Sequence, residues 1–158
     1  PVKSPKKLMA YPGDRQIIGG AIRLSPASGK SSTLLVAEGV ETSLAVIEGT
    51  KGSNFPVWST VNALLMENLI PPDWATRVII FGDKDRPTEQ HPKGHGQEAA
   101  KKLVQRLWQR GIQASAIIPA GEIPPGEKSL DWLDILKTKG SAGFPVMNMI
   151  ERAMRNAA

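Results

Sequence analysis

A chain of 158 residues, 41% hydrophobic and 22% charged, is ordinary for a globular protein and long enough for one domain with a proper core. It has no run near the roughly 18 apolar residues of a membrane span, no signal-peptide pattern and no cysteine. That composition excludes a disulfide framework and a Cys-type zinc module, fits a reducing, cytoplasmic setting, and with a net charge of +5 favours an anionic partner such as nucleic acid. The opening Pro1, in place of Met, leads us to expect a piece of a larger protein.

Residues 1–16 are basic and Pro-rich and read as a lead-in. Residues 17–24 read as a strand, and the Ser/Pro/Gly-rich stretch 25–32 as a turn that folds it back on a strand at 33–37 like a hairpin. Val40, Leu44 and Ile47 share a helical face, closed by Gly49 and Gly52. A short strand at 56–59 precedes a helix that Thr60 would cap, with Val61, Leu64, Leu65 and Leu69 on one side and Pro71-Pro72 as the stop. Strand 77–82 leads into a polar loop. Beyond the loop, Ala100, Leu103, Val104 and Leu107 mark an amphipathic helix ended by Gly111. A strand at 113–118, a Pro/Gly loop, a short helix near 129–138 and a last helix at about 145–156 complete the order, the last burying Val146, Met149, Ile150 and Ala153. Four βα steps predict an α/β fold with a mainly parallel sheet flanked by helices.

Two of the predicted strands end in acids. Leu34-Leu35-Val36-Ala37 runs into Glu38-Gly39, and Val78-Ile79-Ile80-Phe81-Gly82 runs into Asp83-Lys84-Asp85. An open α/β sheet binds ligands at the carboxyl edge of its strands. Hard oxygen ligands from separate strand ends suit magnesium, and a pair of divalent ions serves phosphoryl chemistry by neutralising the attacking and leaving oxygens. Any one strand-end acid alone would ordinarily cap a helix or face solvent. Glu38, Asp83 and Asp85 together make the metal reading the stronger one, provided their strands are neighbours.

These residues carry a family resemblance. Ala37-Glu38-Gly39-Val40-Glu41-Thr42-Ser43-Leu44 resembles the Glu-Gly signature that opens a Toprim domain, and Phe81-Gly82-Asp83-Lys84-Asp85 resembles its Asp-x-Asp signature. Glu127-Lys128-Ser129-Leu130-Asp131-Trp132-Leu133-Asp134-Ile135-Leu136 resembles the acidic segment of primases in this group, in particular the primase and primase-helicase proteins of phages, plasmids and integrating elements. The resemblance runs from about Gly19 to Leu136. It implies a compact Rossmann-like fold with a four-stranded, mainly parallel sheet, to which the N-terminal strand would be added. It divides the chain into a lead-in (1–16), a catalytic domain (17–140) and a C-terminal helix (141–158) that packs on the domain or leads to a missing one.

For function, the resemblance implies DNA replication chemistry: nucleotidyl transfer that makes primers on single-stranded DNA from NTPs, with Mg²⁺ or Mn²⁺. Template-binding and helicase domains would lie elsewhere in the polypeptide. Glu38, Asp83 and Asp85 would be the catalytic metal ligands, with Glu38 as ligand or general base. Asp131 and Asp134 would serve a further ion or orient the first set, and Gly39 and Glu41 would support the site. Lys84, Arg86, Lys93 and Lys128 are candidates for nucleotide or nucleic-acid phosphates. Two other readings use the same fold: a nuclease or topoisomerase that cleaves phosphodiesters, and a non-catalytic nucleic-acid-binding module. The chain departs from the bacterial primase pattern at 86–95, a loop inserted where a short Ala-Gly turn is usual; it either contacts phosphates or is solvated.

Other signals carry less. Ser28-Gly29-Lys30-Ser31 lacks the first glycine of a phosphate-binding loop, and Gly94-His95-Gly96 lies too far past its strand for a dinucleotide fingerprint. His91 and His95 flank Pro92 and Gly94, which argues against a helical zinc pair. Lys101, Lys102, Arg106 and Arg110 read as a solvated helix face, and the four tryptophans as too scattered for a stacking platform. Tyr11 lies in the lead-in and is a poor candidate for a DNA-attacking tyrosine.

Overall fold

The two apolar runs become the centre of the sheet. In the computed structural model, which describes residues 17–26, 31–51 and 53–145, β2 (Thr33–Ala37) and β4 (Arg77–Phe81) lie side by side in parallel, with Ala37 opposite Phe81. Strands covered on both faces read as continuous apolar runs, because neither face meets water. Alternate side chains therefore feed two cores. Leu34, Val36, Val78 and Ile80 enter one, and Leu35, Ala37, Ile79 and Phe81 enter the other.

β3 (Val57–Ser59) pairs in parallel with the outer side of β2, and β6 (Gln113–Ile117) with the outer side of β4. β1 (Ile22–Arg23) completes the five-stranded sheet as an antiparallel edge beside β3, giving the order β1-β3-β2-β4-β6. The expected long strand and its hairpin with 33–37 are therefore corrected. Gly20 N–H closes a turn onto the Ile17 carbonyl at 3.0 Å, and Gly19 takes φ +89°, so the chain is strand only at Ile22–Arg23. Its partner is β3, where the Leu24 N–H extends the pairing to the Val57 carbonyl.

α1 (Val40–Gly49) lies on the face of the second core, while α2 (Ala63–Asn68) and α3 (His95–Gln109) lie on the first. The predicted apolar face of α1 is also corrected. Leu44 is 52% exposed, and the buried positions are Thr42, Ser43, Ala45 and Val46. Small side chains let the helix lie close to the sheet, and the Ser43 hydroxyl is satisfied internally by donating to the Gly39 carbonyl at 2.7 Å. Thr60 does not cap α2. It donates through its N–H and its hydroxyl to the Ala37 carbonyl, and Asn62 is the cap, its Oδ1 accepting from Leu65 N–H at 2.9 Å. Leu64 and Val61 are correspondingly exposed.

A second, two-stranded sheet lies past the end of β4. There β5 (Lys84–Asp85) pairs antiparallel with β7 (Ser129–Leu130), directly before α4 (Trp132–Lys139) and a 3₁₀ turn at Gly140–Gly143. The tryptophans are not all scattered: Trp58 and Trp74 meet edge to face with ring centroids 6.3 Å apart. The lead-in, Gly52 and the positions expected in the last helix lie outside the described residues.

Phe144, from the turn after α4, packs its ring against Phe81 and Trp132 and fills the space beside Gly49. A methyl group at Gly49 would meet that ring at 2.4 Å. Gly49→Ala should therefore lower unfolding free energy by about 1–3 kcal/mol, read as a lower urea midpoint at unchanged slope; an unchanged midpoint would show that Phe144 does not hold this place.

Candidate active site

The strand order decides where the acids meet. From β2 the chain moves outward to β3 through α1, then returns across to β4 through α2. The helices that follow β2 and β4 thus leave on opposite faces, opening a crevice at the carboxyl ends of these two neighbours, the switch point of an open α/β sheet. Glu38 follows β2 directly, and Asp83 follows β4 after Gly82. The requirement that the two strands be neighbours is met.

Glu38 is half-buried, and its carbonyl accepts from the Ser59 hydroxyl at 2.9 Å. Burial pushes its carboxyl above the usual range, the charge of Asp85 adds to this, and a backbone hydrogen bond from Ala63 opposes it. The next turn is strained. Val61 holds φ +70°, which a β-branched residue rarely adopts, with its N–H donating to the Ser59 hydroxyl at 3.2 Å.

Asp83 is the most perturbed group. Burial, then the charges of Glu38, Asp131, Asp85 and Asp134, push its carboxyl up to about 8. Its Oδ1 is buried and has no hydrogen-bond partner among the described residues. A buried carboxylate oxygen left bare is costly in a folded chain, and it suits a cation.

Asp85 is clamped from α3. Gly96 N–H donates to its Oδ2 at 2.6 Å, while the Gln97 side-chain amide accepts from Asp85 N–H and donates to Asp85 carbonyl, both at 3.0 Å. Gly96 permits this approach, since a Cβ there would sit 2.8 Å from the Asp83 carbonyl and 3.1 Å from Asp85 Oδ2. The sequence reading assigns neither Gly96 nor Gln97 to the acidic site. The signal available was the glycine four residues before Ala100, which the dinucleotide spelling obscured.

Asp131 and Asp134 form the reciprocal cap of α4. Asp134 N–H donates to Asp131 Oδ1 at 2.9 Å, and Asp131 N–H donates to Asp134 Oδ2 at 3.2 Å. Burial raises the Asp131 carboxyl, and both acids act on Asp83 through space. They are brought up by β7, whose Ser129 faces Asp85 and whose Leu130 faces Lys84 in the two-stranded sheet. Trp132 fastens this segment to the strand end: its indole N–H donates to the Gly82 carbonyl at 3.2 Å, and its ring meets Phe81 edge to face.

The basic candidates divide. Lys84 donates to the Gly121 carbonyl, and Arg86 donates to the carbonyls of Ile123, Pro124 and Glu127 at 2.8–3.1 Å, so both brace loop 119–128. Lys93 and Lys128 are exposed, and their ammonium groups have no partner among the described residues. Glu41 is exposed on the first turn of α1, and Gly39 is the residue before that helix. His91 and His95 stack with centroids 4.1 Å apart, and His91 Nδ1 lies 3.0 Å from Glu98 Oε2, which orders the inserted loop.

Among the described residues, no group of three or more His, Asp or Glu side chains stands close enough together to hold a metal ion. The donor chemistry nonetheless fits a hard divalent cation: all the converging charges are carboxylates, and one buried oxygen is bare. A family model for the Toprim domain matches residues 33–142, more than half of the chain, from the first residue of β2 into the 3₁₀ turn. The chain belongs to the Toprim family. No curated protein and no solved structure matched it. Toprim domains occur in metal-dependent enzymes of nucleic acids, namely primases, topoisomerases and nucleases, and generally bind Mg²⁺. Glu38, Asp83, Asp85, Asp131 and Asp134 of this Toprim domain all lie inside the matched segment, and no helix among its described residues is long and apolar enough to cross a membrane.

The Asp83 perturbation has a definite sign. Between the ordinary value of 3.8 and the folded value of about 8, the folded chain keeps a proton that the unfolded chain has lost. Metal-free stability should therefore fall as pH rises through that window, by up to about 1.4 kcal/mol per pH unit. Asp83→Asn cannot ionise and should melt higher than the parent in EDTA, with a gap that widens from pH 5 to pH 8. A gap that stays constant across this range would show that Asp83 titrates normally.

Proposed function

We propose that this Toprim domain performs metal-dependent nucleotidyl transfer as the catalytic part of a mobile-element DNA primase. The observation that carries the reading is the attachment of the Lys128–Asp134 segment to the acidic pair through the β5–β7 ladder and the Trp132–Gly82 hydrogen bond. The segment with the primase-like sequence is thereby built into the site, not appended to it. Glu38, Asp83 and Asp85 would hold Mg²⁺ or Mn²⁺, and Asp131 and Asp134 would orient them or bear on a further ion.

The bound metal would neutralise charge on the attacking and leaving oxygens of a phosphoryl transfer. The chain's own residues do the rest. Gly96 holds the Asp85 carboxylate and Gln97 holds the Asp85 backbone against repulsion from the neighbouring acids, and the raised proton affinity of Asp83 keeps the metal-free site from carrying its full charge. Glu38 is held half-buried beside the strained turn at Val61, the position of a ligand or of a base for the attacking hydroxyl. Lys93 and Lys128 are the exposed cations for nucleotide phosphates. The partners in this reading are a single-stranded DNA template, NTPs and further domains that grip the template, and its setting is the cytoplasm of a bacterial or phage-infected cell.

The test is Mn²⁺ titration by calorimetry, followed by product analysis on a single-stranded template with NTPs in the full-length protein. Glu38→Gln and the double variant Asp83→Asn/Asp85→Asn should abolish Mn²⁺ binding, and Gln97→Ala should weaken it by roughly 10–100-fold. Template-dependent primers that disappear in the same variants support the proposal. Cleaved template in place of extended primer would replace it with a nuclease reading, and neither product in the presence of bound Mn²⁺ would replace it with a binding module.

A further inference from the structure

Away from the acids, Arg23, Leu24, Ser25, Pro26, Trp58 and Trp74 line a hollow of about 400 Å³ at the edge where β1 meets β3. Trp74 stands at 88° to Trp58, and the Arg23 guanidinium carbon lies 4.9 Å from the Trp58 ring centroid. Trp58 is buried and makes the wall, whereas Trp74 is 36% exposed and Arg23 is exposed. The Ser25 hydroxyl is occupied by the Val57 N–H at 2.8 Å, so the lining adds apolar surface from Leu24 and Pro26 and one positive charge. Among the described residues, no acid lines the hollow. It is therefore unsuited to a metal cation and suited to a flat, apolar-faced group that carries a negative charge.

That description fits a nucleobase with its phosphate: bases stack on aromatic faces regardless of sequence, and arginine adds a charge contact and its own stacking. A volume of this class lined by an aromatic pair and an arginine has room and chemistry for such a group, and the net charge of +5 adds a general attraction for a polyanion.

Position sets the hollow apart from the acids. Ser25 accepts from the N–H of Val57, the first residue of β3, and Trp74 lies three residues before Arg77, the first residue of β4, so the hollow lies toward the amino ends of the strands. Glu38 and Asp83 follow the carboxyl ends, so the hollow is a separate place on the same sheet. Arg23–Pro26, four of the six lining residues, lie before Thr33, where the match to the Toprim family begins.

We propose that this hollow seats an unpaired base of single-stranded nucleic acid, with Trp74 as the stacking face and Arg23 at the neighbouring phosphate. The proposal rests on the nucleic-acid reading of the domain but not on its metal chemistry, so it is tested in EDTA. The probe is a dye-labelled single-stranded oligodeoxyadenylate, followed by anisotropy and by quenching of intrinsic tryptophan fluorescence. The strand should quench the parent, and Trp74→Leu and Arg23→Gln should each weaken binding by roughly five-fold or more. Trp74→Phe should recover part of the loss, and Trp108→Leu, which removes a tryptophan exposed on α3, should change nothing.

Equal affinity in parent, Trp74→Leu and Arg23→Gln would overturn the proposal, and so would the absence of any strand binding. Free dAMP or a duplex bound as tightly as the single strand would overturn it as well, because a free nucleotide or a backbone contact would then be the ligand. Arg23 is exposed and lies outside the core, so its variant remains a fair test even if replacing Trp74 disturbs folding. Strand binding that persists where Mn²⁺-dependent activity is absent would remove the catalytic reading and leave this one standing.

Discussion

Like charges are gathered where they repel. Glu38, Asp83, Asp85, Asp131 and Asp134 act on one another at one end of the sheet, and partial burial strengthens the repulsion. The fold has to supply the force that keeps them there. It does so with backbone and neutral side chains: Ser59 on the Glu38 carbonyl, Gly96 and Gln97 around Asp85, and the reciprocal cap that ties Asp131 to Asp134. No cationic side chain hydrogen-bonds any of the five among the described residues, and Lys84 and Arg86, though adjacent in sequence, turn to loop carbonyls. Within the chain, Lys137 offsets Asp131 through space.

Trp132 joins that site to the core. Its ring sits between Phe81 and Phe144 in the core under α1 and α4, while its N–H holds the carbonyl just ahead of Asp83. The same side chain therefore ends a hydrophobic stack and sets the position of a carboxylate. With β7 on one side of Asp85 and α3 on the other, the acidic pair is fixed by two segments that are distant in sequence.

What could be read from the sequence follows from how local the determinants are. The runs 33–37 and 77–81 are buried on both faces, so apolar composition alone locates them, and the acids at their ends need only the neighbouring strand order to meet. The amphipathic face of α3 repeats its pattern over fifteen residues and was equally plain. α1 was misleading because its inward face consists of Thr42, Ser43, Ala45 and Val46, which no scale of apolar periodicity selects. β1 was misjudged because its partner is chosen by tertiary pairing, and two glycines shorten it. The clamp of Gln97 on Asp85 and the meeting of Trp58 with Trp74 join residues twelve and sixteen positions apart through the return of the chain across the sheet, which spacing does not encode.

The loop at 86–95 leaves and re-enters the fold at two fastened points. At its start the Arg86 N–H donates to the Lys128 carbonyl, and at its close the Gly94 N–H donates to the His91 carbonyl just before Gly96 reaches Asp85. Within it, Thr88 and His91 exchange hydrogen bonds of 3.0 Å, so it closes upon itself as a compact surface loop. Loop-closure entropy grows only slowly with length. Such a segment can be lengthened, shortened or replaced while the carboxylates beside it stay in register.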